Sequence, residues 1–403
     1  MSLGVWNPAL HEELDSQHWD EGKVRSWLQS LLEDTVATYR KLGGWPLHSR
    51  DRDDEDPSFQ AQSLYCGSSG VIWGLKRIET VLGITLPTDL REAAYRVYVA
   101  NPDVEMPGLI VSRGGMDLLA YAFGFDEARE GLTASIHACG QLREPREIFW
   151  GPPAALLLAY HAFKIRPDAH WQDLFRFYAI DFLARFGLEK HENWVWPQLL
   201  YEEIRPCIGA AHGVLGAFLP YMLGYELLPG SVQKHVFDQL LAFVQDTALE
   251  TDRHANWAKR IHVETGSPEY LVQWCHGAPG IVSCLSYLPP MLRAGLLGLL
   301  CKAGQTIWDA GPLIKPAGLC HGNAGNAYAF LRLLAITGDS HWLDRARRFA
   351  MHAIKQSNTE RLQKSQRYYS LLTGDVGLAV FLVECLVAGP GHFPVLESFA
   401  FTR

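Results

Sequence analysis

The sequence is poor in basic charge. Its 403 residues carry 36 Lys and Arg against 44 Asp and Glu, a net charge of −8. Nucleic-acid binders carry a basic excess or a basic stripe, and neither is present, so that class is set aside. Long apolar runs are also missing. The longest, from Val376 to Gly389, is interrupted by Glu384 and falls short of the ~18–20 residues a membrane span needs. The opening residues, MSLGVWNPALHEELDSQHWD, have no basic start, apolar centre or small-residue cleavage site, so no signal peptide is read and a cytoplasmic protein is expected. The eight cysteines, at 66, 139, 207, 275, 284, 301, 320 and 385, include no CxxC pair. A chain this long needs no disulfide staples, and most of these thiols are expected to be reduced and buried. No Val/Ile/Thr alternation marks a sheet.

What the chain does have is apolar content, 48%, ample for a core, and a recurring glycine phrase. Its clear copies are Gly67-Ser-Ser-Gly70, Gly213-Val-Leu-Gly216, Gly277-Ala-Pro-Gly280, Gly322-Asn-Ala-Gly325 and Gly374-Asp-Val-Gly377. Weaker copies start at Gly114 and Gly151. Seven copies in 403 residues give a unit of about 58 residues, room for two helices of ordinary length. The segments after the phrases, such as GVIWGLKRIETVL, GAFLPYMLGYELL, IVSCLSYLPPML and NAYAFLRLLAIT, are apolar nearly all round, as buried helices are. The segments between them, such as 231–249 and 342–357, are amphipathic. The pattern predicts an all-α fold with an inner and an outer ring of helices. No composition break divides the chain, so residues 1–403 read as one domain, although the repeat does not show in residues 1–60. The acidic run within Leu47–Gln62, Asp51-Arg52-Asp53-Asp54-Glu55-Asp56-Pro57, reads as a solvated surface loop in preference to a cation site.

Two phrases open with the same tripeptide: Cys275-His276-Gly277 and Cys320-His321-Gly322, 45 residues or about one repeat apart. In repeat register both cysteines come to one end of the ring. Two thiolates and an imidazole suit zinc, and three protein ligands leave the fourth tetrahedral position open. Four residues compete for three places, and spacing does not choose between His276 and His321. A third phrase, Gly209-Ala-Ala-His212-Gly213, carries a histidine without the adjacent thiol. His212 is therefore an acid/base candidate and a poor ligand candidate.

WCHGAPG, GLCHGNAGNAYAFL and GAAHG, together with the C-terminal His392-Phe-Pro-Val-Leu-Glu397, resemble the lanthionine synthetase C-like proteins. The resemblance runs from about Ser63 to the end and is nearer to the glutathione-binding members than to the bacterial peptide cyclases. It implies an α/α toroid, seven inner and seven outer helices with zinc at one mouth. It implies zinc ligands Cys275, Cys320 and His321, and His212 as the acid/base residue. It also implies Lys315 as a contact to a thiol cosubstrate, with Arg367, or less well Arg361, as a second. The implied reaction is zinc-dependent addition of a thiol such as glutathione to dehydroalanine or dehydrobutyrine in a peptide or protein, giving a thioether. The alternatives are a lanthipeptide cyclase acting on a precursor peptide, or a non-catalytic glutathione-binding adaptor. A carbohydrate-acting α/α barrel would need paired carboxylates such as Glu202, Glu203 or Asp375 and would have no use for the Cys-His-Gly pair. One departure stands out: where the family often has an acidic residue in the third phrase, this chain reads Gly151-Pro152-Pro153-Ala154.

Overall fold

The computed structural model describes residues 4–52, 56, 58–190, 194–196, 198–261 and 267–401. Among the described residues, fourteen helices of eight residues or more alternate between two rings. They are α1 (Glu21–Leu42), α2 (Ser68–Leu82), α3 (Leu90–Val99), α4 (Arg113–Ala122), α5 (Ala128–Gln141), α6 (Pro152–Ile165), α7 (Ala169–Phe186), α8 (Val214–Leu223), α9 (Gly230–Thr247), α10 (Ala278–Leu285), α11 (Leu297–Ala310), α12 (Asn323–Thr337), α13 (His341–Lys364) and α14 (Asp375–Val387). The even-numbered helices each touch the next even-numbered one, and α14 touches α2, so the inner ring closes. This is the expected α/α toroid. Inner helices such as α6 and α14 are buried on nearly every side. Outer helices such as α1 and α13 bury one face.

Residues 1–60, where no repeat shows in the sequence, supply the seventh outer helix. Asp20 caps α1 by accepting from the Lys23 amide at 3.0 Å, and α1 packs on α13 and α14. Two inner helices are shorter than their apolar runs. The run after Gly213 breaks at Gly224 into a 3-10 turn, Tyr225–Leu227. The run after Gly277 stops at Leu285, ahead of Pro289 and Pro290, where proline cannot continue a helix. The described residues also form four two-stranded antiparallel ribbons of two or three residues per strand, each within a loop that leads into an inner helix. No helix of the described residues is long and apolar enough to cross a membrane.

The glycine phrases do start the inner helices. Gly67, Gly151, Gly213, Gly277, Gly322 and Gly374 are N-caps, and Ser112 takes that place in the second, weaker phrase. None of these seven offers a side-chain cap. First-turn amides instead bond carbonyls seven residues upstream: Ser68 to Ala61, Val214 to Cys207, Ala324 to Ala317 and Asp375 to Tyr368. Each of these four loops thus wraps its own helix start and satisfies orphan amides, while at Gly277 the Ala278 amide donates to Asn256 Oδ1 at 2.8 Å. The glycines permit this wrap. Gly277 has φ +102°, which an L side chain rarely adopts. A Cβ on Gly325 would collide with the Leu319 carbonyl.

Candidate metal centre

The wrapped loops fix two residues just before each N-cap. Two places before it stand Tyr65, Ile110, Phe149, Ala211, Cys275, Cys320 and Leu372; one place before it stand Cys66, Val111, Trp150, His212, His276, His321 and Thr373. Neighbouring loops are stitched together by backbone hydrogen bonds. Ala211 donates to Cys275 (3.4 Å), Cys275 to Cys320 (3.0 Å), Cys320 to Leu372 (2.8 Å), Leu372 to Tyr65 (3.0 Å), Tyr65 to Ile110 (3.0 Å) and Leu109 to Phe149 (3.0 Å). The duplicated Cys-His-Gly is therefore brought together by main chain before any side chain acts.

Ligand atoms of Cys275, Cys320 and His321 lie within 4.8 Å of one another. Both cysteines are buried and His321 is partly exposed. The trio fits a tetrahedral zinc ion, which takes thiolates at about 2.3 Å and imidazole at about 2.0 Å. Its proton chemistry also fits. Hydrogen bonds from Cys275 and His321 hold the Cys320 thiol well below the ordinary thiol range despite burial. The bond to Cys320 raises His321, although burial opposes it. Cys275, sharing a proton with Cys320 and buried, is pushed well up. A cation entering this cluster displaces protons the sulfurs already hold jointly. His276 is not part of the trio. Its Nδ1 is buried with no partner, and burial, with His212 next in weight, lowers its pKa to about 3.

His212 sits one loop away, its ring centroid 6.2 Å from that of His276. Its Nδ1 donates to Glu147 Oε2 at 3.1 Å. Glu147 is fully buried and also accepts from the Phe149 amide at 3.1 Å and the Trp150 amide at 2.7 Å. Burial alone would lower the His212 pKa, but the Glu147 hydrogen bond and charge outweigh it, and the imidazole is raised. The sequence did not single out Glu147. Glu147 lies four residues before Gly151, and its carboxylate reaches the next loop at His212. Its only signal is that it precedes a phrase. Phe149, Trp150 and Tyr201 surround His212 with rings at 5.1, 6.1 and 6.0 Å.

On the other side of the cluster lies a cavity of about 230 Å³, lined by His321, Lys315, Arg50, Asp51, Tyr368 and Thr373 among others. It shares Arg50, Lys315 and Pro316 with a larger outer hollow of about 680 Å³ lined by Glu12, Glu13 and Lys355. Lys315 is therefore at the cluster. Arg367 is not among the residues lining this cavity. Its guanidinium is buried 3.5 Å from Asp34 and 3.6 Å from Asp375, because a charge this deep needs carboxylates beside it. Arg361 is exposed near the end of α13. The cation that joins Lys315 is Arg50, paired with Glu360 at 2.6 Å. The acidic run is only in part a surface loop. Asp51 turns inward and accepts from Tyr368 (2.6 Å) and Thr373 (2.7 Å); Asp53, Asp54, Glu55 and Pro57 lie outside the described residues.

A helical toroid with a Cys-Cys-His cluster at the mouth defines a class of protein, and comparisons with known proteins agree with it. The chain belongs to the lanthionine synthetase C-like family, whose sequence profile matches residues 155–397. It is 34% identical over 194 residues to the glutathione S-transferase LANCL1 of Danio rerio, covering 47% of this chain and 45% of that protein. It is also 34% identical over 197 residues to the LanC-like protein GCL1 of Arabidopsis thaliana, covering 47% and 43%. Each match thus spans less than half of the relative's length. The structure of a nisin cyclase superposes with a TM-score of 0.58 over 89% of this chain and 93% of that one, at 14% identity, which shows a shared fold.

Proposed function

We propose that this protein adds a thiol, glutathione by the character of the cavity, to a dehydroalanine or dehydrobutyrine residue of a peptide or protein. The observation that carries the reading is the Cys275–Cys320–His321 cluster opening on a cavity with Lys315 and Arg50 at its edge. Cys275, Cys320 and His321 would hold zinc, and a zinc ion there would supply the Lewis acidity that favours a thiol in its nucleophilic thiolate form. Lys315 and Arg50 suit the carboxylates of glutathione. The sulfur forms a bond to the β-carbon of the acceptor, the alkene electrons move to an enolate, and the thiol proton leaves to solvent. His212, with Nδ1 held by Glu147, delivers a proton from Nε2 to the α-carbon and is recharged from water. The rings of Phe149, Trp150 and Tyr201 flank the imidazole.

The test is incubation of the zinc-loaded protein with glutathione and a dehydroalanine peptide, with the thioether adduct read by mass spectrometry. Cys275→Ala and Cys320→Ala should lose both zinc and adduct formation. Ring closure of a peptide bearing its own cysteine, with no glutathione adduct, would assign a cyclase instead. Glutathione binding without turnover would assign an adaptor. A double cysteine variant that keeps full zinc would end the metal reading.

A further inference from the structure

Each cysteine of the cluster has a hydrogen-bond donor that the proposed reaction does not use. Gln273, buried on the ribbon that pairs Val272–Gln273 with His276–Gly277, places its Nε2 3.1 Å from Cys275 Sγ. Its Oε1 accepts from Lys315 Nζ at 3.1 Å. This settles which way the amide points. An ammonium only donates, so the oxygen faces Lys315 and the NH₂ faces the sulfur. Cys275 is thus the acceptor, the role a metal-bound thiolate plays. On the other sulfur, the Tyr65 phenol hydrogen-bonds Cys320. Tyr65 is held in place by main chain, its amide bonded to Ile110 and its carbonyl to Leu372.

We propose that Gln273 and Tyr65 are positioning residues that orient the two thiolates and withdraw charge from them, and that Lys315 acts on Cys275 through Gln273. This rests on the zinc reading of the cluster and adds to it the control of how much negative charge the sulfurs pass to the metal. A donor on each sulfur leaves the metal more positive, which favours capture of a further thiol as thiolate. Partners of this kind fix ligand geometry, and losing one typically costs 10–100-fold in metal affinity. Lys315 thereby has a role at the metal that is separate from any contact with the cosubstrate.

Tyr65→Phe removes only the phenol oxygen, and Gln273→Met keeps chain length without the amide. In zinc competition against a chromophoric chelator, each should bind about 10–100-fold more weakly than wild type. Loaded with cobalt(II), each should move the sulfur-to-metal charge-transfer band to lower energy, because a sulfur without its donor is richer in electrons. Lys315→Met should shift the same band in the wild-type background and leave it unmoved in Gln273→Met, the signature of a relay through one amide. Folded variants with wild-type affinity and an unmoved band overturn the proposal. If the wild type itself takes up neither zinc nor cobalt, the proposed function fails along with it; uptake with unaltered variants sinks this inference alone.

Discussion

The pair formed by His212 and Glu147 carries the sharpest residue-scale expectation. His212→Asn should keep zinc and bind the thiol, yet form adduct on the order of 10²–10⁴-fold more slowly, as for loss of a general acid. A side chain that merely filled the turn would cost about 1 kcal/mol of stability and leave turnover intact. Glu147→Gln adds a sign. The proton donor is the protonated imidazole, so the rate falls as pH rises through its pKa, which Glu147 raises against burial. Neutralising Glu147 lowers that pKa, and the alkaline fall of the pH–rate profile should begin at lower pH. An unmoved profile would remove Glu147 from the mechanism. The two cysteines and both competing histidines were legible because a repeated tripeptide signals a repeated place in space; the choice of His321 over His276 came from the family resemblance. Glu147, Gln273, Tyr65 and Asp51 were not, because each acts across loops on a partner that no period in the sequence links to it. Tyr65 and Cys320 share the place two before the N-cap, but one is a phenol and the other a thiol, and nothing in the sequence aligns them by chemistry.

At the scale of elements, most of the fold was legible from alternating all-round apolar and amphipathic helices. Helix α1 was missed because its amphipathic face closes on α13 and α14, far off in sequence, with no glycine phrase to announce it. The C-terminal segment is the other element the helical period does not describe. Phe393, Val395, Leu396 and Phe399 are buried at 1% exposure or less. Phe393 stacks at 3.9 Å on Trp274, the residue before Cys275. Glu397 accepts from Ser283, from Tyr287 (3.0 Å) and from the Phe393 amide (2.6 Å). Trp73 of α2 donates to the Phe399 carbonyl (2.9 Å) and His161 of α6 to that of Leu396 (3.1 Å). The segment thus plugs the ring and ties α2, α6 and α10 together. Phe393→Ala should cost about 3–5 kcal/mol in urea denaturation and weaken zinc binding through Trp274. A loss below about 1 kcal/mol would mean that the plug is peripheral.

For the molecule as a whole, the closed double ring and its buried core, not the metal, hold the chain together. Chelation should therefore leave the helical circular dichroism largely intact; outright unfolding would make the cluster a structural site. Acid is a different matter. His48 and His161 are buried and His392 is half-buried, and burial first of all lowers their pKa values, to about 4, about 4 and about 3. A histidine whose folded pKa lies below the unfolded value of 6.5 binds fewer protons folded than unfolded between those two limits. Each of the three therefore withdraws stability as pH falls below about 6.5. Asp375 acts oppositely, since burial raises it to about 6. Below pH 6 its protonation restores stability, and Asp51, Asp117 and Glu397, which burial also raises, work in the same sense. With about 1.4 kcal/mol per proton and pH unit, a single such imidazole withdraws on the order of 2 kcal/mol between pH 7 and pH 5. Urea unfolding of the wild type and of His161→Gln at the two pH values reads that contribution. His161→Gln, whose amide can still donate to the Leu396 carbonyl, should lose less stability than the wild type on going to pH 5. The same pH dependence in both proteins would show that the His161 imidazole is not held neutral.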